Sequence, residues 1–296
     1  MLKHVVDFGV PIGIIVLMLI AGTEMAIGDF VRLMKHPRPV LMGAFGQLVV
    51  LPPLSFLVVV TSAVNPFVST AILLLALSPG GPISNNYCYL ARCNVSLSAT
   101  ITAVGTLLCF AAIPLWLKVM SGSSAFDQGL LHSSASKIMA QLMVLMILPI
   151  ALGMMLVRAF PQLVERQKVA FRLASFAIIF AILFATVWAV RDEVFTLARD
   201  IVLAAALFIL CAMLLGRVMA YGMKPEERPV LVIEGAVRNI GVALIVGQSI
   251  FDEQSFARFV TFLAGYFIVE VIFLIPYTQF VRARLARAPR SINSSG

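Results

Sequence analysis

Charge is what this sequence has least of. Asp, Glu, Lys and Arg together make up 12% of its 296 residues, where a soluble domain carries about 25%. Apolar residues reach 61%, and the mean hydropathy is +1.02. Those proportions exclude a disordered chain and a collagen-like fibre, and they argue strongly against a soluble enzyme. Histidine is scarce: His4, His36 and His132 lie far apart near expected loops, so no metal or nucleophile constellation can be assembled from them. Cysteine is scarce too. Cys88, Cys93, Cys109 and Cys211 form no CxxC pair and sit in or beside apolar runs. They read as small core residues rather than disulfide or zinc partners. A cleavable leader is not expected, because the first apolar run, Gly9–Gly28, has no basic n-region and no small-x-small cleavage site.

Long apolar runs are what the sequence does have. A helix needs about 20 apolar residues to cross a bilayer. Nine segments approach that length, at 9–28, 40–62, 68–91, 95–117, 138–158, 170–190, 200–220, 229–250 and 257–281. The connections are short, so the expectation is one all-α integral membrane domain, 1–296, with nine spans. Residues 283–296 read as a basic, disordered tail. The net charge is +8, but the basic residues fall in short clusters between apolar runs, which suits a bilayer partner and not nucleic acid. Fifteen of the Lys and Arg residues, including Arg38, Arg92, Arg158, Arg217, Arg228 and Arg284, would lie on one side and six on the other. The positive-inside rule then puts the N-terminus outside and the C-terminus in the cytoplasm of a plasma membrane, such as a bacterial inner membrane.

Two of the nine segments are not ordinary spans. The third contains Ser78-Pro79-Gly80-Gly81-Pro82-Ile83-Ser84-Asn85-Asn86. Two prolines around two glycines remove backbone donors and helix propensity together, so a helix should break there and line a cavity or pack in protein. The eighth carries Glu234-Gly235-Ala236-Val237-Arg238-Asn239 in its middle. Each central charge costs about 2.5–3.5 kcal/mol on the insertion scale, which cancels the gain from the Val, Leu and Ile residues around it. Glu234 and Arg238 are four apart, so a self-neutralising i,i+4 pair is one reading; a polar site at the bundle centre is the other. Paired interrupted helices at corresponding places in two halves indicate an inverted-repeat secondary transporter, with substrate bound near the midplane where the breaks cross. In the fourth segment Ser98 and Thr102 share a helix face and Thr106 continues the stripe. Hydroxyls so placed can bond back to their own helix. Beside Ser84, Asn85 and Glu234 they also supply the neutral oxygens and single carboxylate that suit a hard monovalent cation.

At these residues the chain resembles the bile acid:sodium symporter family. Pro79-Gly80-Gly81 followed by Ser84-Asn85 and then Tyr89-Leu90-Ala91-Arg92 is similar to that family's first broken helix, with Ser98 and Thr102 continuing it. Glu234 to Asn239 resembles the second broken helix, and Asp29-Phe30, Pro37-Arg38-Pro39 and Gly43, Gln47 and Pro52 resemble the segment between the first two spans. The resemblance implies panel helices at 9–28, 138–158 and 170–190, and core helices at 40–62, 68–91, 95–117, 200–220, 229–250 and 257–281, with the two broken helices crossing. It implies one sodium site from Ser84, Asn85, Ser98, Thr102 and Glu234. A second would use Gln47, Glu234 and backbone oxygens around Gly235 and Val237, with a glutamine where this chain has Arg238. A guanidinium has no acceptor atom, so the expectation is that Arg238 replaces the second sodium, or else that it holds an anionic substrate group. Pro79, Gly80, Gly81, Pro82, Asn239 and Glu270 would line the crevice. Glu270, central in the ninth segment, is a functional candidate by its depth alone. It would pair with Arg238 or carry a coupling proton.

The expected function is sodium-coupled symport of a small organic anion, bile-acid-like or another amphipathic carboxylate, with Na+ as coupling ion and no other cofactor. The alternatives are a proton-coupled or uncoupled carrier of the same fold, or a non-transporting membrane sensor or channel. An intramembrane enzyme would have only Glu234 and Glu270 as paired carboxylates, and it is not expected.

Overall fold

A computed structural model describes residues 8–25, 28, 31, 37–62, 64–120, 135–189 and 191–287. Of the sequence features above, Asp29-Phe30, His4, His36 and His132, and residues 288–296 lie outside them. The regular structure of the described residues is all helical, with no strand among them. In chain order the helices are α1 (Val10–Glu24), α2 (Pro37–Thr61), α3 (Pro66–Leu77), α4 (Ile83–Ala91), α5 (Val95–Met120), α6 (Ser136–Ala159), α7 (Pro161–Ala189), α8 (Arg191–Met219), α9 (Arg228–Ala236), α10 (Ile240–Ile250) and α11 (Glu253–Arg287). Among the described residues six stretches are long and apolar enough to cross a membrane, or seven if the bent α7 counts as one span. Val10–Glu24 and Pro66–Leu77 are apolar but shorter. The chain is a multi-pass membrane protein by this measure.

Several helices overrun the apolar windows seen in the sequence. α7 begins at Pro161 instead of near 170, and α8 begins at Arg191 instead of near 200. A helix that leaves an apolar layer keeps its backbone bonds by continuing into polar sequence. The same reasoning corrects the expected tail: residues 283–287 are the end of α11, where Leu285 packs against the core and Arg284 and Arg287 occupy the last turn, a favourable place for positive charge. At the other end of α11, the Asp252 carboxylate accepts from the Ser255 N–H at 2.7 Å, which holds it below the usual carboxylate range.

Close packing is set by small residues and by proline. A Cβ on Gly22 would strike the Ile150 main chain, and one on Gly153 would strike that of Leu19 and Gly22, so α1 and α6 meet backbone to backbone, as small residues allow in membrane helices. In α2, Pro52 cannot donate to the Leu48 carbonyl four residues back. The helix widens to a π-turn over Gly46–Val50, and the Trp116 Nε1–H of α5 donates to that freed carbonyl at 2.7 Å. The widened turn carries Gln47, which is buried.

The centre of the molecule holds the two breaks. Every residue from Val68 to Gly81 and from Pro229 to Gly247 is buried. The helix pair α3–α4 is interrupted at 78–82 and the pair α9–α10 at 237–239, and the two interruptions touch.

Candidate functional site

Each break frees backbone groups, and each freed group described here is taken up. Pro79 has no N–H for the Leu75 carbonyl, which accepts instead from the Ser78 N–H at 3.0 Å and its hydroxyl at 2.7 Å. The Gly80 N–H, no longer bonded to Ala76, donates to Gln47 Oε1 at 2.8 Å. The Ala76 carbonyl so vacated accepts from Arg238 Nη2 at 3.0 Å. The Pro79 carbonyl accepts from the Asn239 N–H at 2.9 Å. In the second break, the Ala236 carbonyl accepts from the Tyr266 hydroxyl, and Asn239 Oδ1 caps α10 by accepting from the Val242 N–H at 3.2 Å. The glycines are dictated by close approach: a Cβ on Gly80 would collide with the Glu234 carboxylate, and one on Gly81 would come within 2.8 Å of the Arg238 carbonyl oxygen.

Glu234 is the focus. It lies two residues from the end of α9 and is completely buried. Its Oε1 accepts from Ser84 Oγ and Ser98 Oγ, each at 2.5 Å. Thr102 Oγ1 is 3.1 Å from Oε1 and 3.2 Å from Oε2, and Gln47 Nε2 reaches Oε2 at 3.3 Å. The Ser84 and Ser98 hydroxyls lie 3.1 Å apart. Three elements, α2, α4 and α5, thus bring side chains to one carboxylate on α9. The hydroxyls of Ser98 and Thr102 point to Glu234 and not back along α5, whereas Thr100 does bond back, to Ser96.

Other expected residues go elsewhere. Asn85 sits beside Ser84 on α4 but makes no hydrogen bond to Glu234; its Oδ1 is buried without a partner, and it lines a cavity of about 340 Å³ with Thr23, Glu24, Val95 and Ala99. Thr106 continues the stripe, but its hydroxyl is also unpartnered. The i,i+4 ion pair of Glu234 and Arg238 is not formed, because α9 ends at Ala236 and Val237 is extended, which puts the two side chains on different sides of the break. Nor does Arg238 make an ion pair with Glu270. The guanidinium is 2% exposed, with Nε and Nη1 unpartnered. Glu234 and Glu270 are both among its electrostatic neighbours.

Glu270 is buried on α11 with Oε1 unpartnered, facing Tyr87, Tyr266 and the backbone of Arg238. The sequence reading missed these tyrosines. Tyr266 lies one turn before Glu270, so a shared helix face was the available signal. Pro82, Gly81 and Asn239 reach a small cavity of about 70 Å³ that opens between the breaks, α1 and α7, with Met18, Ala21 and Phe176 opposite. Gly235 packs its Cα face against the Ala212 carbonyl of α8. Among the described residues no group of three or more His, Cys, Asp or Glu side chains converges. The donor set is one carboxylate and neutral oxygens, the kind that suits an alkali cation and not zinc.

Residues 11–199 match the sodium bile acid symporter family. The chain is 28% identical over 155 residues to a rice protein (Oryza sativa subsp. japonica) named as the probable sodium/metabolite cotransporter BASS2, chloroplastic, covering 52% of this chain and 36% of that protein. It is 24% identical over 242 residues to the uncharacterized sodium-dependent transporter YocS of Bacillus subtilis (strain 168), covering 81% of this chain and 74% of that one. It is 23% identical over 263 residues to the ileal sodium/bile acid cotransporter of Homo sapiens, covering 88% and 74%. The chain therefore spans about a third of the length of the rice relative and about three quarters of the other two. With more than half of its own length matched, the chain belongs to the sodium bile acid symporter family, a family of transporters and not of enzymes.

Proposed function

We propose that the chain is a secondary active carrier that moves a small organic anion together with Na+ by alternating access. The observation that carries this reading is the Glu234 cluster. A fully buried carboxylate is surrounded by three hydroxyls and an amide at the contact of two broken helices, and among the described residues it makes no ion pair. Taking a carboxylate out of water is costly unless a positive charge accompanies it. Rotating the hydroxyl protons outward would present the oxygens of Ser84, Ser98, Thr102 and Glu234 to one monovalent cation. Asn85, one position from Ser84, would join by turning its unpartnered Oδ1.

In this reading α1, α6 and α7 form the panel, and α2–α5 with α8–α11 form the core. The pairs α3–α4 and α9–α10 each cross once, which makes nine spans in two inverted halves. The N-terminus is outside, and the C-terminus is in the cytoplasm beneath a plasma or inner membrane. The substrate, a bile-acid-like or other amphipathic carboxylate, enters at the cavity beside Gly81, Pro82 and Asn239. Arg238 stands in for the second sodium. Its hydrogen bond to Ala76 supports a permanent internal cation; Arg238 also lines the substrate cavity, which keeps a substrate clamp as the second reading. Gln47, Gly235 and Val237 then frame a site already filled by that charge, and coupling falls to one sodium per cycle or none.

The runner-up is proton coupling through Glu270, favoured by its buried, unpartnered Oε1 between Tyr87 and Tyr266. Thermal stability of the purified protein in sodium, potassium and choline chloride separates the two, because an ion that binds only the folded state raises its stability. A sodium-specific gain that vanishes in Glu234→Ala is expected. Equal stability of the wild type in all three salts would overturn sodium coupling.

A further inference from the structure

Three arginines gather at one end of the molecule, at the opposite end of α9 from the broken-helix contact. Arg217 lies in the last turn of α8, Arg228 opens α9, and Arg284 lies near the end of α11. All three line one cavity of about 580 Å³. Apart from Tyr277 its other walls are apolar, built by residues such as Leu214, Val232, Phe280 and Val281. Leu214 is 65% and Phe280 61% exposed, so the apolar wall lies on the outer face of helices long enough to cross a membrane, where lipid tails run.

Among the described residues no Asp or Glu lines this cavity to match its positive charge. None of the three arginines makes an ion pair with a described carboxylate. The neighbouring Glu227 accepts from the Lys224 N–H at 3.2 Å, and neither Glu226 nor Glu227 lines this cavity or the next. Arg228 is held in place by donating Nε–H to the Met223 carbonyl at 2.8 Å. A second cavity, of about 630 Å³, continues past Arg217 and Arg228 to Tyr221 and Gly222, and there Arg38 donates to the Tyr221 carbonyl at 3.2 Å.

We propose that this pocket binds the phosphate group of an anionic phospholipid. Like charges held close without a counter-ion repel one another, and an anion between them removes that cost. The planar guanidinium fork matches phosphate oxygens in pairs. A headgroup site at the rim with an apolar groove running down the helix face is the shape of a phospholipid, charge at one end and chain at the other. The consequence reaches the ion site through a short lever. α9 is only nine residues long; Arg228 is at one end and Glu234 near the other. A lipid seated on Arg228 therefore fixes the outer end of the helix that positions the carboxylate.

The test uses full-length protein in neutral detergent. Binding is read as the rise in thermal stability on titration with phosphatidylglycerol, phosphatidylcholine or inorganic phosphate. Phosphatidylglycerol alone should stabilise the wild type. In Arg217→Gln/Arg284→Gln its apparent affinity should fall by roughly thirtyfold, while Arg282→Gln/Arg287→Gln, outside the cavity, should keep it. Arg217→Lys/Arg284→Lys should retain part of the effect, which distinguishes lost binding from a misfolded variant. Equal stabilisation by phosphatidylcholine, or an unchanged response in the pocket variant, would overturn the site. Full stabilisation by inorganic phosphate alone would make the ligand a soluble anion and overturn the lipid assignment.

Discussion

The main-chain N–H of Asn239 donates to the carbonyl of Pro79 across 2.9 Å, so the interruption in one broken helix completes the hydrogen bonding of the other. Neither group has a partner within its own helix, and neither can be left bare in an apolar interior. Arg238 makes the same link in side-chain form, reaching the Ala76 carbonyl from the opposite break. The two breaks are thus one structural unit, with Glu234 held at its edge.

The side chain of Asn239 adds a cap that can be removed alone. Asn239→Ala deletes the acceptor for the Val242 N–H and leaves the backbone bond to Pro79 in place. A loss of about 1 kcal/mol is expected, read as a lower unfolding midpoint in detergent. An unchanged midpoint would mean that the cap is redundant.

Gly80 and Gly81 should fail in different ways when each becomes alanine. At Gly80 the obstacle is the Glu234 carboxylate; at Gly81 it is the Arg238 main chain. Gly80→Ala should abolish the sodium-specific rise in stability while the protein still folds. Gly81→Ala should cost more stability, about 1–3 kcal/mol, because backbone yields less readily than a side chain. If Gly80→Ala keeps the full ion response, the carboxylate position inferred here is wrong.

Tyr266→Phe removes one oxygen and strands the buried Ala236 carbonyl at the end of α9. An unsatisfied buried acceptor costs about 1–3 kcal/mol. The variant should be less stable in every salt, with the difference between sodium and potassium kept. Loss of the salt difference with no loss of stability would instead make Tyr266 part of the ion site.

Arg238→Gln tests the internal-cation reading. With the fixed charge gone, the sodium dependence of stability should steepen, and proteoliposomes should carry one more sodium ion per substrate than the wild type. A wild type that already moves two sodium ions per cycle is the result that contradicts the proposal.

What the sequence determined alone follows from local chemistry. Scarce charge and continuous apolar runs of about 20 residues specify membrane helices, since a helix satisfies its own backbone in lipid and the strands of a barrel are shorter and alternate in polarity. Proline and glycine at 79–82 specify a break, and the structure interrupts the helix there. Ser98 and Thr102 share a face because helical spacing requires it. Helix ends were less legible, because α7, α8 and α11 run on into polar sequence where apolar counting stops.

Only the tertiary structure decided which partners these residues took. Glu234 and Arg238 are four apart, and a self-neutralising pair is one of two readings of that spacing; the extended backbone at Val237 instead sends one to the hydroxyls of α4 and α5 and the other to a carbonyl of α3. Ser84 and Asn85, adjacent in sequence, face different surroundings because neighbouring residues on a helix point about 100° apart. Tyr266 meets Ala236 across 30 residues. Such contacts depend on where whole helices pack, and packing is fixed by surfaces that the chain assembles only once it has folded.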